Sequence, residues 1–245
     1  MSRCSVRDSD SGDVEEILTR IAATPTQQLA WLPYPAWAAM SLRAAGDLRL
    51  GSERRSEFYY RIGVPPEKVC VVPQVHSRSC LTADRRTLET ATRTEAGERL
   101  LGEADGILTH QDDLTLAVTV GDCMPIWLCD ESTGARGLLH SGWRGTGILD
   151  RAIVDMHETF GTRPADLVVM FGPCISVEAY EVDASRAEQF AAEWGENAVR
   201  RRDGRCYLDM RRANLTICER AGVDVAAVID HCTVQDSRFG SYRRE

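Results

Sequence analysis

The sequence predicts an α+β fold, a mixed β-sheet core flanked by helices, in a single domain spanning residues 1–245. Strand-like and helical runs are unevenly mixed along the chain, without the strict alternation that builds a doubly wound sheet. At 245 residues the chain is long enough for one well-buried core. Apolar residues make up 43% and charged residues 27%, with 19 Gly and 9 Pro, which excludes disordered and fibrous classes and leaves a soluble globular protein.

Taken in order, residues 1–12 are polar with no apolar period and read as a disordered terminus. Val14, Ile17, Leu18 and Ile21 have helical spacing, so 13–23 is expected to be a helix ended by Thr24-Pro25. Two prolines make 31–37 irregular. A helix over 54–62 stops at Gly63, and a Pro-Pro-Glu turn leads into a strand over 69–72 that delivers Gln74 and His76. Residues 77–104, rich in Thr and Arg, read as a surface excursion. Strands follow at 106–109, 114–120, 125–129 and 135–139. The spacing of Ile148, Leu149, Ile153, Met156 and Phe160 predicts a helix over 146–160, stopped by Gly161. A strand at 167–171, helices at 185–194 and 210–221, and a last strand at 225–229 complete the reading, with Asp209 placed to cap the helix that begins at Met210.

Charge and composition narrow the function. Lys and Arg total 29 against 37 Asp and Glu, a net charge of −8, which disfavours nucleic acid as a partner. Lys68 is the only lysine and sits in a turn, so Schiff-base chemistry is set aside. No stretch approaches the roughly 18–20 apolar residues of a membrane span, and the acidic start is unlike a signal peptide. A cytoplasmic enzyme, monomer or homodimer, acting on a small molecule is the expectation. The nine cysteines show no CxxC pair and read as mostly reduced and buried.

Three strand-like runs each end in a soft or borderline metal ligand followed by small or polar residues: His76, Cys123 and His140. Strand ends collect sites because the sheet fixes the side chain while the loop leaves an opening. Two imidazoles and one thiolate make the three-ligand shell of a catalytic zinc with an open fourth position. The spacing is not local, and a buried cysteine with two satisfied core histidines explains the same residues. Pattern alone leaves both readings open. Asp122 invites assignment as a general base, but alternation along an extended strand turns it away from Cys123. His110, His157 and His231 read as structural.

Six segments carry a family resemblance: PQVHS at 73–77, VGDCMPIWLCD at 120–130, HSGWRG at 140–145, FGPCISVEAYEV at 171–182, LDMRRAN at 208–214 and SYRR at 241–244. Together they resemble the zinc-dependent purine nucleoside phosphorylases formerly named multicopper polyphenol oxidases or laccases, a group that includes the peptidoglycan editing factors. The resemblance implies that His76, Cys123 and His140 bind zinc, with copper the lesser candidate. It also implies phosphorolysis of adenosine, inosine or methylthioadenosine, with adenosine deamination as a further activity. Cys123, His140 and Arg144 are then the catalytic candidates. Gln74, Arg144, Tyr242, Arg243 and Arg244 are the candidates for holding nucleoside and phosphate, the arginines through their bidentate forks. The chain departs from the family pattern at Gly121, at 176–179 and at Gly240. It also ends at Glu245 where members continue with a Gly- and Thr-rich tail, so an open pocket, or one covered by a second chain, is expected.

Three rival readings follow from the same residues. True laccase chemistry needs more imidazoles than the five histidines provide. A cysteine hydrolase or amidase, acting on a peptidoglycan precursor or specialised metabolite, would use Cys123 as nucleophile and His140 as base. A non-enzymatic interaction protein could retain a structural zinc.

Overall fold

The computed structural model describes residues 17–32 and 38–245. The expected disorder of 1–12, the first residues of the expected helix at 13–23, and the irregular stretch at 33–37 lie outside them. The main sheet has seven strands in the spatial order Leu18–Thr19, Asp224–Ile229, Val168–Phe171, Met124–Asp130, Ala135–Ser141, Gly106–Thr109 and Cys80–Thr82. The first three strands in that order run parallel to one another, as do the last two, and the pairings between these groups are antiparallel. That is the mixed sheet of an α+β fold.

Alternation along the central strands sorts the core into two layers. Met124, Ile126 and Leu128 pack with Ile148, Leu149, Phe190 and Ile217 on one face. Trp127, Leu138, Met170 and Phe239 pack on the other. Helices Ile148–Phe160, Ala184–Trp194 and Met210–Ala221 cover the first face. Ile148–Phe160 does so with an i, i+3, i+4 stripe of Ile148, Leu149, Ala152, Ile153 and Met156, and it ends at Gly161 with φ 74°. Asp209 caps Met210–Ala221 by accepting from the Arg212 amide, as its position predicts. Among the described residues no helix is long and apolar enough to cross a membrane.

Three sequence expectations are corrected. Leu18–Thr19 is a strand, paired parallel with Val228 and Ile229, because an open sheet edge outweighs the weak helical period there. Residues 77–104 are built into the fold rather than looping over it. Cys80–Thr82 pairs with Gly106–Thr109, Arg99–Leu100 pairs with Val69–Val71, and Ala83, Glu98 and Ala104 are fully buried. The strand expected over 114–120 shortens to Thr115–Leu116. Past Ala117 a side chain takes over the ladder: Gln74 accepts from the Thr119 amide at 2.7 Å and donates to its carbonyl at 2.8 Å.

A second sheet, of four strands in the order Thr92–Arg93, Arg99–Leu100, Val69–Val71 and Thr115–Leu116, carries the chain to His76. A buried ion pair ties this sheet to the helix Arg54–Arg61. Glu98 accepts from Arg55 Nε at 2.8 Å, from the Tyr59 hydroxyl at 2.7 Å and from the Thr94 hydroxyl at 2.9 Å, while Arg55 reaches Thr119. Removing one partner strands a charge inside the protein. Glu98→Ala is therefore expected to lower the unfolding free energy by about 3–5 kcal/mol in urea titration. Glu89→Ala, at the exposed Arg85–Glu89 pair, should change it by less than about 1 kcal/mol.

Candidate metal centre and its pocket

His140 is the sixth residue of the strand Ala135–Ser141, and the antiparallel register that pairs Leu139 with Gly106 sets Asp105 across from it. The His140 amide donates to the Asp105 carbonyl at 2.7 Å and its Nδ1 lies 2.8 Å from Asp105 Oδ1. Cys123 stands just before the strand Met124–Asp130, one step beyond the Met124–Ser141 pair, so it faces the Ser141–Gly142 turn. His76 follows the second sheet, with φ 58°, a left-handed backbone that a non-glycine residue adopts only when held there.

The same Asp105 holds it. Its carboxylate accepts from three consecutive amides, Val75 at 3.2 Å, His76 at 3.0 Å and Ser77 at 2.6 Å, and from the Ser77 hydroxyl at 2.9 Å. Asp105 is fully buried. Burial pushes its pKa up, but the hydrogen bonds from His140 and Ser77 outweigh that and hold it at about 2. A depressed carboxyl stabilises the fold above its unfolded pKa of about 4, and that contribution is lost as pH falls through about 2. With Asp105 ionised, His140 Nδ1 carries the proton and Nε2 is the free donor atom.

The donor atoms of His76, Cys123 and His140 all lie within 4.8 Å of one another, and the two imidazoles meet edge to face at 4.9 Å. Burial, then His140, lower the His76 pKa, which keeps its lone pair available. Burial and then Asp122 push the Cys123 thiol up to about 12. A metal ion removes that proton outright. These residues fit a metal of the borderline class: two imidazoles and one thiolate, one of the imidazoles oriented by a carboxylate. The glycines of HSGWRG make room for the cluster. A Cβ on Gly142 would stand 2.8 Å from Cys123 Sγ and 3.3 Å from His76, and one on Gly145 would stand 3.0 Å from the Ser77 carbonyl.

The cluster lines a cleft of about 1820 Å³ together with Gln74, Arg144, Tyr242 and Arg243. Arg144 is exposed, its guanidinium 5.3 Å from the Trp143 ring. Tyr242 is 90% exposed at the rim. Two expected substrate residues have other employment. Both polar ends of Gln74 are bonded to the Thr119 backbone, so it clamps the loop that leads to His76. Arg244 is absent from the cleft wall and donates to the carbonyls of Thr233, Val234, Asp236 and Phe239, fixing the C-terminal turn. Asp122 is not free to act as a base: one oxygen accepts from the Thr233 hydroxyl at 2.6 Å and the other from the Arg243 amide at 2.8 Å, which anchors the Arg243 segment beside Cys123. His231 accepts from the Ile21 amide and pairs with Asp236, a structural role as expected. Sequence reasoning missed Asp105, an acid at the mouth of the strand Gly106–Thr109, and the wall residue Arg186, and it left Tyr180 open between a structural and a pocket role.

A family model described as multi-copper polyphenol oxidoreductase laccase matches residues 38–245. The chain belongs to that family. Within this laccase-like family it is 36% identical to a purine nucleoside phosphorylase of Deinococcus radiodurans over 144 residues, 58% of this chain and 56% of that protein. It is 31% identical to a purine nucleoside phosphorylase of Corynebacterium glutamicum over 186 residues, 75% of this chain and 72% of that protein. The fold is that of YlmD from Geobacillus stearothermophilus, with TM-score 0.74 and 24% identity over 92% of this chain and 90% of that one.

The dependence of both histidines on one carboxylate gives a direct expectation. Asp105→Asn, which keeps the shape but loses the charge, should weaken zinc affinity about 10–100-fold by competition with a chromogenic chelator. Unchanged affinity would mean that Asp105 does not position the ligands.

Proposed function

We propose that the chain is a zinc-dependent purine nucleoside phosphorylase. It would convert adenosine, inosine or methylthioadenosine and phosphate to the free base and the pentose 1-phosphate, with adenosine deamination as a further activity in the same cleft. The observation that carries this reading is the His76–Cys123–His140 group, buttressed by Asp105, at the wall of an arginine-bearing cleft in a chain whose relatives are named purine nucleoside phosphorylases.

When bound, zinc supplies a Lewis-acidic centre that polarises an oxygen or acidifies a water. Cleaving the N-glycosidic bond leaves an oxocarbenium-like sugar, and an anion held beside it lowers that barrier. Arg144 and Arg243 bring planar forks to the cleft and can hold such an anion bidentately. Asp105 fixes the His140 ring and keeps its Nδ1 proton in place. Asp122 holds the Arg243 backbone against the Cys123 loop.

Copper suits two imidazoles and a thiolate as well, but a multinuclear copper centre needs further histidines. Among the described residues His157 is bonded to the Thr162 carbonyl, His231 to Ile21 and Asp236, and His110 meets Phe160 edge-on. A mononuclear zinc accounts for the remaining pair.

One observation favours a second reading. Cys123, His140 and Asp105 stand in the order nucleophile, base and orienting carboxylate of a cysteine hydrolase. A thiol pushed up to about 12 is a poor nucleophile at neutral pH without a metal, which supports the zinc reading.

Free base is expected from adenosine or inosine only when phosphate is supplied. A strong chelator should abolish it and zinc restore it, and Arg144→Lys should cut kcat/KM by about 10-fold or more. Base release indifferent to phosphate contradicts phosphorolysis, and activity that survives chelation with zinc removed supports the cysteine reading.

A further inference from the structure

Two aromatic rings beside the candidate metal-ligand group carry three guanidiniums. Arg186, in the first turn of the helix Ala184–Trp194, lies 4.6 Å from the Trp143 ring, and Arg144 lies 5.3 Å from the same ring. Arg243 lies 5.2 Å from the Tyr180 ring. Burial and then Cys123 push the Tyr180 phenol up to about 12, while the charges of Arg243 and Arg186 oppose them. All of these residues line the same cleft.

An aromatic face fixes a guanidinium in place while leaving its N–H edge open to a ligand. Several arginine forks elsewhere are spent on carboxylates: Arg55 on Glu98, Arg78 on Glu193, Arg211 on Asp230 and Arg238 on Asp236. The cleft trio differs. The carboxylate nearest Arg186 is Asp183 at 3.7 Å, and it is 62% exposed, a weak partner. Among the described residues no carboxylate pairs with Arg144 or Arg243. In a chain of net charge −8, three cations gathered without a strong counter-ion repel one another and form a local positive field. An oxyanion relieves that repulsion. One fork satisfies a carboxylate, whereas three forks match a tetrahedral dianion with several acceptor oxygens.

We propose that Arg186, stacked on Trp143, is a phosphate-binding residue that completes with Arg144 and Arg243 an oxyanion site beside the metal centre. The identity of the anion as inorganic phosphate rests on the phosphorylase reading; the site itself rests on the geometry. Arg186 thereby fills the role in the cleft that the family resemblance suggested for Arg244.

The test is calorimetric titration of zinc-loaded protein with inorganic phosphate, alongside zinc content and thermal melting, for the wild type, Arg186→Gln and Arg186→Lys. Arg85→Gln serves as the control, since it removes the same charge from a residue 92% exposed outside the cleft. Arg186→Gln is expected to weaken phosphate binding at least about 10-fold and Arg186→Lys by less, with zinc content and the melting temperature unchanged and Arg85→Gln like the wild type. In turnover, the KM for phosphate should rise while the KM for nucleoside stays within about twofold. Phosphate binding equal in Arg186→Gln and the wild type overturns the proposal, as does a wild type that binds no phosphate. Phosphate held through Arg186 without any base release would sink the phosphorylase reading and leave this site standing. Phosphate-dependent base release unaffected by Arg186→Gln would do the reverse.

Discussion

The Asp105 carboxylate joins two sheets that share no strand. His140 belongs to the seven-stranded sheet, and His76 follows the four-stranded one. Nothing in either sheet's own hydrogen bonding fixes the distance between them. Asp105 does, by accepting from His140 Nδ1 and from the Val75, His76 and Ser77 amides at once. A buried carboxylate is tolerable only when fully hydrogen-bonded, and each amide left unpaired inside the protein costs about 1–3 kcal/mol. The carboxylate and the loop therefore enforce each other. The unusual backbone of His76 is one consequence, and the need for glycine at 142 is another, because the Ser141–Gly142 turn must pass close to both Cys123 and His76.

Much of the fold was legible because its period was clean. The helix Met210–Ala221 has the predicted bounds, and the central strands are each predicted within two residues, since continuous apolar runs between turn residues admit few alternatives. What was lost is where the period is diluted. Arg200–Arg202 is exposed and all arginine, so the hairpin Val199–Arg202 with Arg205–Leu208 showed no apolar alternation. Its turn did carry a signal: Asp203-Gly204, with φ of 52° and 74°, is the pair a two-residue hairpin turn selects. The strands at 80–82 and 99–100 are too short to show any period, and they form because a neighbouring edge is open.

The site divides in the same way. The three candidate ligands His76, Cys123 and His140 are nominated by residue type together with the family resemblance, because ligand chemistry resides in residue types. The partners of those ligands are not. Asp105 lies 18 residues from Cys123 and Arg186 lies 46 residues from His140, so both reach the cleft only through tertiary pairing. Conversely, Arg244 and Gln74 have the right chemistry but satisfy backbone groups instead. Residue type nominates a functional group; the hydrogen-bond inventory decides whether it is free to act. By that measure Arg144 and Arg243, which have no carboxylate partner among the described residues, are the candidates to meet a ligand, and Gln74 supports the site from behind.

The proposed zinc site is tested most directly by X-ray absorption at the zinc edge of protein purified without added metal. The predicted spectrum has one sulfur at about 2.3 Å and two imidazole nitrogens at about 2.0–2.1 Å, with a light atom in the fourth position. The sulfur should vanish in Cys123→Ala. A metal shell without sulfur, or with two or more sulfurs, would contradict the assignment of His76, Cys123 and His140.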